Sequence, residues 1–122
     1  MPLHGHRILL VEDEFLTAFY VESIVREAHG EVVAHAATLA KALELAGTPH
    51  LSLAILDFQL GSNNSLPVAA KLHAAGVPFI FHTGSDVSVL SKAWPHVPVV
   101  AKPAAPNILV RTLARLQFEA AA

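Results

Sequence analysis

Five short stretches of the chain are apolar almost without a break, and between them the apolar residues return at helical spacing. RILLV (7–11) and LSLAIL (51–56) have the pattern of strands covered on both faces of a parallel sheet. EVVAHA (31–36), VPFIFH (77–82) and VPVVA (97–101) are β-branched or aromatic runs of similar length, which predicts three more strands. Between the runs, Leu16, Tyr20, Val21, Ile24, Val25 and Ala28 recur with the period of a helix, as do Leu39, Leu43 and Ala46, then Val68, Leu72 and Ala75. Gly30, Gly47 and Gly76 follow these segments, and each is expected to close its helix in the left-handed conformation. Val87, Leu90 and Trp94 predict a shorter fourth helix ended by Pro95. Leu109, Leu113 and Leu116 predict a fifth after KPAAPN.

Strict alternation of strands and helices with short connections implies an α/β fold, a doubly wound five-stranded parallel sheet with right-handed crossovers. Pro98 lies inside the fifth run, where a missing amide donor is tolerated chiefly at a sheet edge. The order 2-1-3-4-5 puts that strand at an edge. Pro78 opens its own strand and breaks no ladder.

Composition narrows the function. A chain of 122 residues suits one domain spanning 1–122, and the fifth helix ends about where the sequence does, so no output domain is expected. Hydrophobic residues at 53% against 15% charged residues argue for a folded core. No apolar run approaches the roughly 18 residues of a membrane span, and MPLHGHR has no apolar signal region, so a cytoplasmic protein is expected. The absence of cysteine removes disulfides, thiol catalysis and thiolate metal sites. A net charge of -2 without a Lys/Arg cluster gives no footprint for nucleic acid.

Ligands of open α/β sheets collect beyond the carboxyl ends of the strands, where the strand order reverses. There the first strand runs into Glu12 and Asp13, the third into Asp57, the fourth into Thr83 and the fifth into Lys102. Three converging carboxylates repel one another unless a cation neutralises them. Mg²⁺ (or Mn²⁺), a hard ion that takes oxygen ligands, fits such a group. A zinc site is disfavoured, because His82 is the lone histidine at these ends. Lys102 and the Thr83 hydroxyl supply what a phosphoryl group requires, a positive charge and a hydrogen-bond donor. Asp57 therefore reads as a nucleophile that becomes an aspartyl-phosphate.

The ordered set LLVEDE, LAILD, FHTGS and VAKP resembles the receiver domain of two-component response regulators, the CheY-like superfamily, over essentially the whole chain. DFQLGSNNSLPVAAKL and GVPFIFHTG look like single-domain receivers of alphaproteobacterial type. The resemblance implies a (βα)5 flavodoxin-like fold, with Asp57 as phosphoacceptor and Asp13 as a metal ligand. It implies that Glu12 holds the metal or its waters and that the Gln59 carbonyl completes the shell. It further implies that Thr83 and Lys102 contact the phosphoryl group and that the Lys102–Pro103 peptide is cis. The expected partners are a histidine kinase or histidine phosphotransfer protein, with docking centred on the first helix, and a downstream protein. A homodimer is compatible with the pattern. The chain would catalyse only its own phosphorylation and dephosphorylation, so it is not expected to be an enzyme.

Two positions depart from that family. Val99 stands where receivers commonly carry a Tyr or Phe whose ring reorients on phosphorylation, and Ala104 follows Pro103 where an aromatic is frequent. The readout is therefore expected to pass through residues 59–65 and the segment from Ser85 to Trp94. Plainer readings stand beside these. Asp13 could cap the helix that follows it. His4 and His6 suit a flexible tail better than a metal site, His82 a packed side chain, and Trp94 a core edge. Two other functions remain open: a degenerate receiver that interacts without phosphorylation, and a Mg²⁺-dependent phosphohydrolase of haloacid-dehalogenase-like type. The latter wants a second Asp two residues after the nucleophile, and here that place holds Gln59.

Overall fold

The computed structural model describes residues 2–85 and 87–121, with 117–121 by their backbone only. Its elements in chain order are β1 (Arg7–Val11), α1 (Phe15–Glu27), β2 (Glu31–Ala36), α2 (Leu39–Leu45), β3 (Leu53–Leu56), β4 (Gln59–Leu60) and β5 (Asn63–Asn64), followed by α3 (Leu66–Ala74), β6 (Phe79–Thr83), α4 (Val87–Ala93), β7 (Val99–Ala101) and α5 (Pro106–Ala121). Five strands form one parallel sheet in the order β2-β1-β3-β6-β7. That is the 2-1-3-4-5 arrangement, in an α/β flavodoxin-like fold.

Because successive strand residues point to opposite faces, the sheet feeds two cores. Ile8, Leu10, Ile55 and Ile80 pack with Val21 and Val25 of α1 and with Leu109 and Leu113 of α5. Leu9, Val11, Leu56, Phe79 and Phe81 pack with Ala42 of α2, Leu72 of α3 and Leu90 of α4. Both faces of β1, β3 and β6 are covered, which is why their sequences are continuously apolar.

Several expectations need correction. The third, fourth and fifth sheet strands begin two residues later than the apolar runs, at Leu53, Phe79 and Val99. Pro78 and Pro98 precede their strands, each giving only a carbonyl, to Ala54 N–H and Phe81 N–H at 3.0 Å. Of the three helix-closing glycines, only Gly76 has a positive φ, 73°. After α1 the left-handed position falls to His29 at φ 69°. Gly30 is needed for space, since a Cβ there would stand 2.9 Å from Val25 Cγ1. The start of the chain is no loose tail either: Leu3 is wholly buried, and its N–H donates to the Ala28 carbonyl at 3.0 Å.

One element had no counterpart in the sequence pattern. β4 and β5 form a small antiparallel hairpin directly after Asp57. Its base is closed by Ser65 N–H donating to the Phe58 carbonyl at 2.9 Å, and Leu60 is buried.

Candidate functional site

The side chains at the strand ends converge because the sheet's hydrogen bonding runs one step past the strands. Glu12 N–H donates to the Ala36 carbonyl (3.0 Å), Asp57 N–H to the Val11 carbonyl (2.8 Å) and Lys102 N–H to the Thr83 carbonyl (2.9 Å). Each of these residues is thus fixed by a rung at the carboxyl end of the ladder.

Glu12, Asp13 and Asp57 each bring a carboxylate oxygen to within 4.8 Å of the others. Glu12 and Asp57 are buried, whereas Asp13 is exposed. Lys102 Nζ lies 2.8 Å from Glu12 Oε1 and 3.0 Å from Asp57 Oδ2, with the exposed Glu14 carboxylate 3.8 Å away. Asp13, Asp57, Gln59, Thr83 and Lys102 line one cleft of about 270 Å³. The Lys102–Pro103 peptide is cis.

Burial dominates the electrostatics. It pushes the Glu12 carboxyl up from 4.5 to about 7, against the pull of its hydrogen bond with Lys102. Asp57 is raised for the same first reason, again against Lys102. For Lys102, burial alone would lower the pKa, but its bonds to Glu12 and Asp57 outweigh that and raise it. Three clustered carboxyl groups, of which Glu12 and Asp57 touch the single ammonium, leave an excess of negative charge. A divalent cation bound by oxygen ligands fits that excess.

Asp13 does not cap α1. Glu14 holds the N-cap position, and one oxygen of Asp13 accepts the N–H of Gly61 at 2.9 Å. Thr83 lies beside the cleft, but its hydroxyl is engaged locally, donating to the Ser85 carbonyl at 3.0 Å. His82 points away from Thr83 into the α1/α5 side and is 1% exposed. Burial, aided by the charge of Lys102, lowers its pKa to about 4, so the ring is neutral. Trp94 packs edge-to-face on Phe79 and Phe81, as a core edge does. Val99 is half-buried in β7.

Sequence reasoning missed three contributors. His35 Nε2 lies 3.1 Å from the Glu12 carbonyl. Its reach follows from a register shift between Ile8 and Leu9, which no local pattern signals. Tyr20 Oη donates to the Ala104 carbonyl at 2.9 Å, tying α1 to the segment after the cis peptide. Gly61 is the third.

No protein-family model and no curated protein matches the chain. Solved structures do. SdrG from Sphingomonas melonis Fr1 is 33% identical, covers 95% of this chain and 98% of its own, and superposes with a TM-score of 0.81. The signal receiver domain of a modulated diguanylate cyclase from Desulfovibrio desulfuricans G20 is 27% identical over 94% of this chain and 95% of its own, with a TM-score of 0.83. The response regulator PhyR from Brucella abortus is 26% identical over 97% of this chain, with a TM-score of 0.84, but this chain spans only 50% of PhyR. With the strand order, the acidic cluster and these likenesses together, the chain belongs to the response regulator receiver (CheY-like) domain family.

Proposed function

We propose that this receiver accepts a phosphoryl group on Asp57 from a histidine kinase or histidine phosphotransfer protein. It then signals through a protein partner or serves as a phosphate sink. The observation that carries this reading is the approach of three carboxylates to within 4.8 Å of one another against the Lys102 ammonium. In the transfer, Asp57 forms a P–O bond as the donor's P–N bond breaks. Glu12, Asp13, Asp57 and the Gln59 carbonyl would hold Mg²⁺ or Mn²⁺. The ion would offset charge on the transferring group. Lys102 pairs with the phosphoryl oxygens, and Thr83 turns its hydroxyl from Ser85 toward them. The chain acts on no free substrate and catalyses only changes to its own Asp57.

Phosphorylation with acetyl phosphate or a cognate kinase in Mg²⁺ tests this reading. Wild type should become labelled and Asp57→Asn should not; label retained by that variant would overturn the proposal. Failure to bind Mg²⁺ would favour the unphosphorylated interaction module, and multiple turnover of a phosphomonoester would favour the phosphohydrolase. A protein partner is supported by α1, which exposes Phe15, Leu16 and Phe19 by 78%, 78% and 62% beside the acidic cluster. With Val99 lacking a ring, the readout runs through the β4–β5 hairpin and the segment from Ser85 to Trp94. Amide shifts induced by beryllofluoride should extend into both; shifts confined to the acidic cluster would refute this route.

A further inference from the structure

The hairpin after Asp57 does more than lead the chain into α3. Its tip is Gly61, whose φ of 62° lies in the left-handed region. In that conformation the Gly61 N–H reaches Oδ2 of Asp13 at 2.9 Å, across 48 residues of sequence. Asp13 is the exposed member of the acidic cluster, and an exposed carboxylate otherwise rotates freely about two side-chain bonds. The donor, by contrast, is held on both sides. Leu60 is 3% exposed, Leu60 and Asn63 pair across the turn, and Ser65 N–H bonds to the Phe58 carbonyl at the hairpin base.

We propose that the Gly61 backbone N–H is a positioning group that presets Asp13 for a divalent cation; this rests on the metal-dependent reading above. Held by one oxygen, Asp13 keeps acceptor capacity on the other, since a carboxylate offers about four lone-pair sites. The cation then meets a ligand whose orientation has already been fixed, the role that outer partners play around metal ligands. Gly61 thereby sets metal affinity without touching the ion, whereas the Gln59 carbonyl of the same hairpin would touch it. Nothing lies within 4 Å of a Cβ built on Gly61, so the requirement for glycine is conformational, not steric. Asn tolerates the left-handed region, whereas β-branched Val does not.

Calorimetric titration of the full chain with Mg²⁺ alone separates the outcomes. Gly61→Asn, which keeps the N–H in place, should bind within about twofold of wild type. Gly61→Val should bind about tenfold more weakly, the size of loss seen when an outer partner of a metal ligand is removed. Gly61→Ala, a milder change, should fall between them and guards against a folding defect in the Val variant. The Gly61→Val loss should shrink below about twofold when Asp13 is already Asn. Amide exchange at position 61 should be protected in the wild-type and Asn forms and fast in the Val form. Equal Mg²⁺ affinity in wild type and Gly61→Val would overturn the positioning role alone. Absence of binding by wild type would remove the metal reading, and this role with it.

Discussion

His82 shows what residue identity costs when a polar group is buried without company. It is 1% exposed, and neither ring nitrogen has a hydrogen-bond partner among the described residues. Replacing it by Leu should stabilise the protein by about 1 kcal/mol in chemical denaturation, because an unpaired polar group is exchanged for an apolar one. The pH profile should change as well. A base whose folded pKa is depressed to about 4 adds stability that is full above its usual 6.5 and is lost as pH falls through 4. His82→Leu should remove that acid-side loss. Glu12 works in the opposite sense: an acid raised to about 7 lets the metal-free protein lose stability as pH rises from 4.5 through 7, and Glu12→Gln should shrink the decline to the part that the raised Asp57 contributes. Melting curves of both variants from pH 4 to 8 test the two signs. At this scale the sequence made Asp13, Asp57 and Lys102 legible, since each stands at the end of an apolar run. It hid His35 and Gly61, whose contacts depend on a register shift and a turn conformation.

Aromatic side chains link the elements on the α4 side. Phe58 meets Phe81 at 6.4 Å between centroids, Phe81 meets Phe79 at 5.7 Å, and both Phe79 and Phe81 meet Trp94 at 5.8 and 6.1 Å. This row begins beside Asp57 and ends at an apolar cavity of about 560 Å³ lined by Val77, Trp94 and Pro95. Phe81 is fully buried at its centre, so Phe81→Ala should cost about 3–5 kcal/mol in denaturation experiments. Trp94 is the only tryptophan. Its emission should change on adding Mg²⁺ and beryllofluoride, and the change should be lost in Asp57→Asn. The elements themselves were legible because strands covered on both faces are continuously apolar and helices repeat at their own period. The hairpin was not: QLGSNN holds a single large apolar residue, Leu60, and the pairing spans two residues per strand.

Over the whole molecule, the parallel sheet followed from strand and helix alternation and its edge strand from Pro98, while two strands start just after prolines, whose missing N–H periodicity does not register. No helix among the described residues is long and apolar enough to cross a membrane. Saturating Mg²⁺ at about 100 times its dissociation constant should stabilise the fold by about 2.7 kcal/mol. Thermal shift read with and without the ion tests that gain, and Asp13→Ala should diminish it. The buried Leu3 has a consequence of another kind. It packs in the α1/α5 core alongside Val25 and Ala28, so cutting the chain behind Leu3 would open a hole at the base of that core. Trimming of that sort would convert a folded signalling protein into a substrate for degradation.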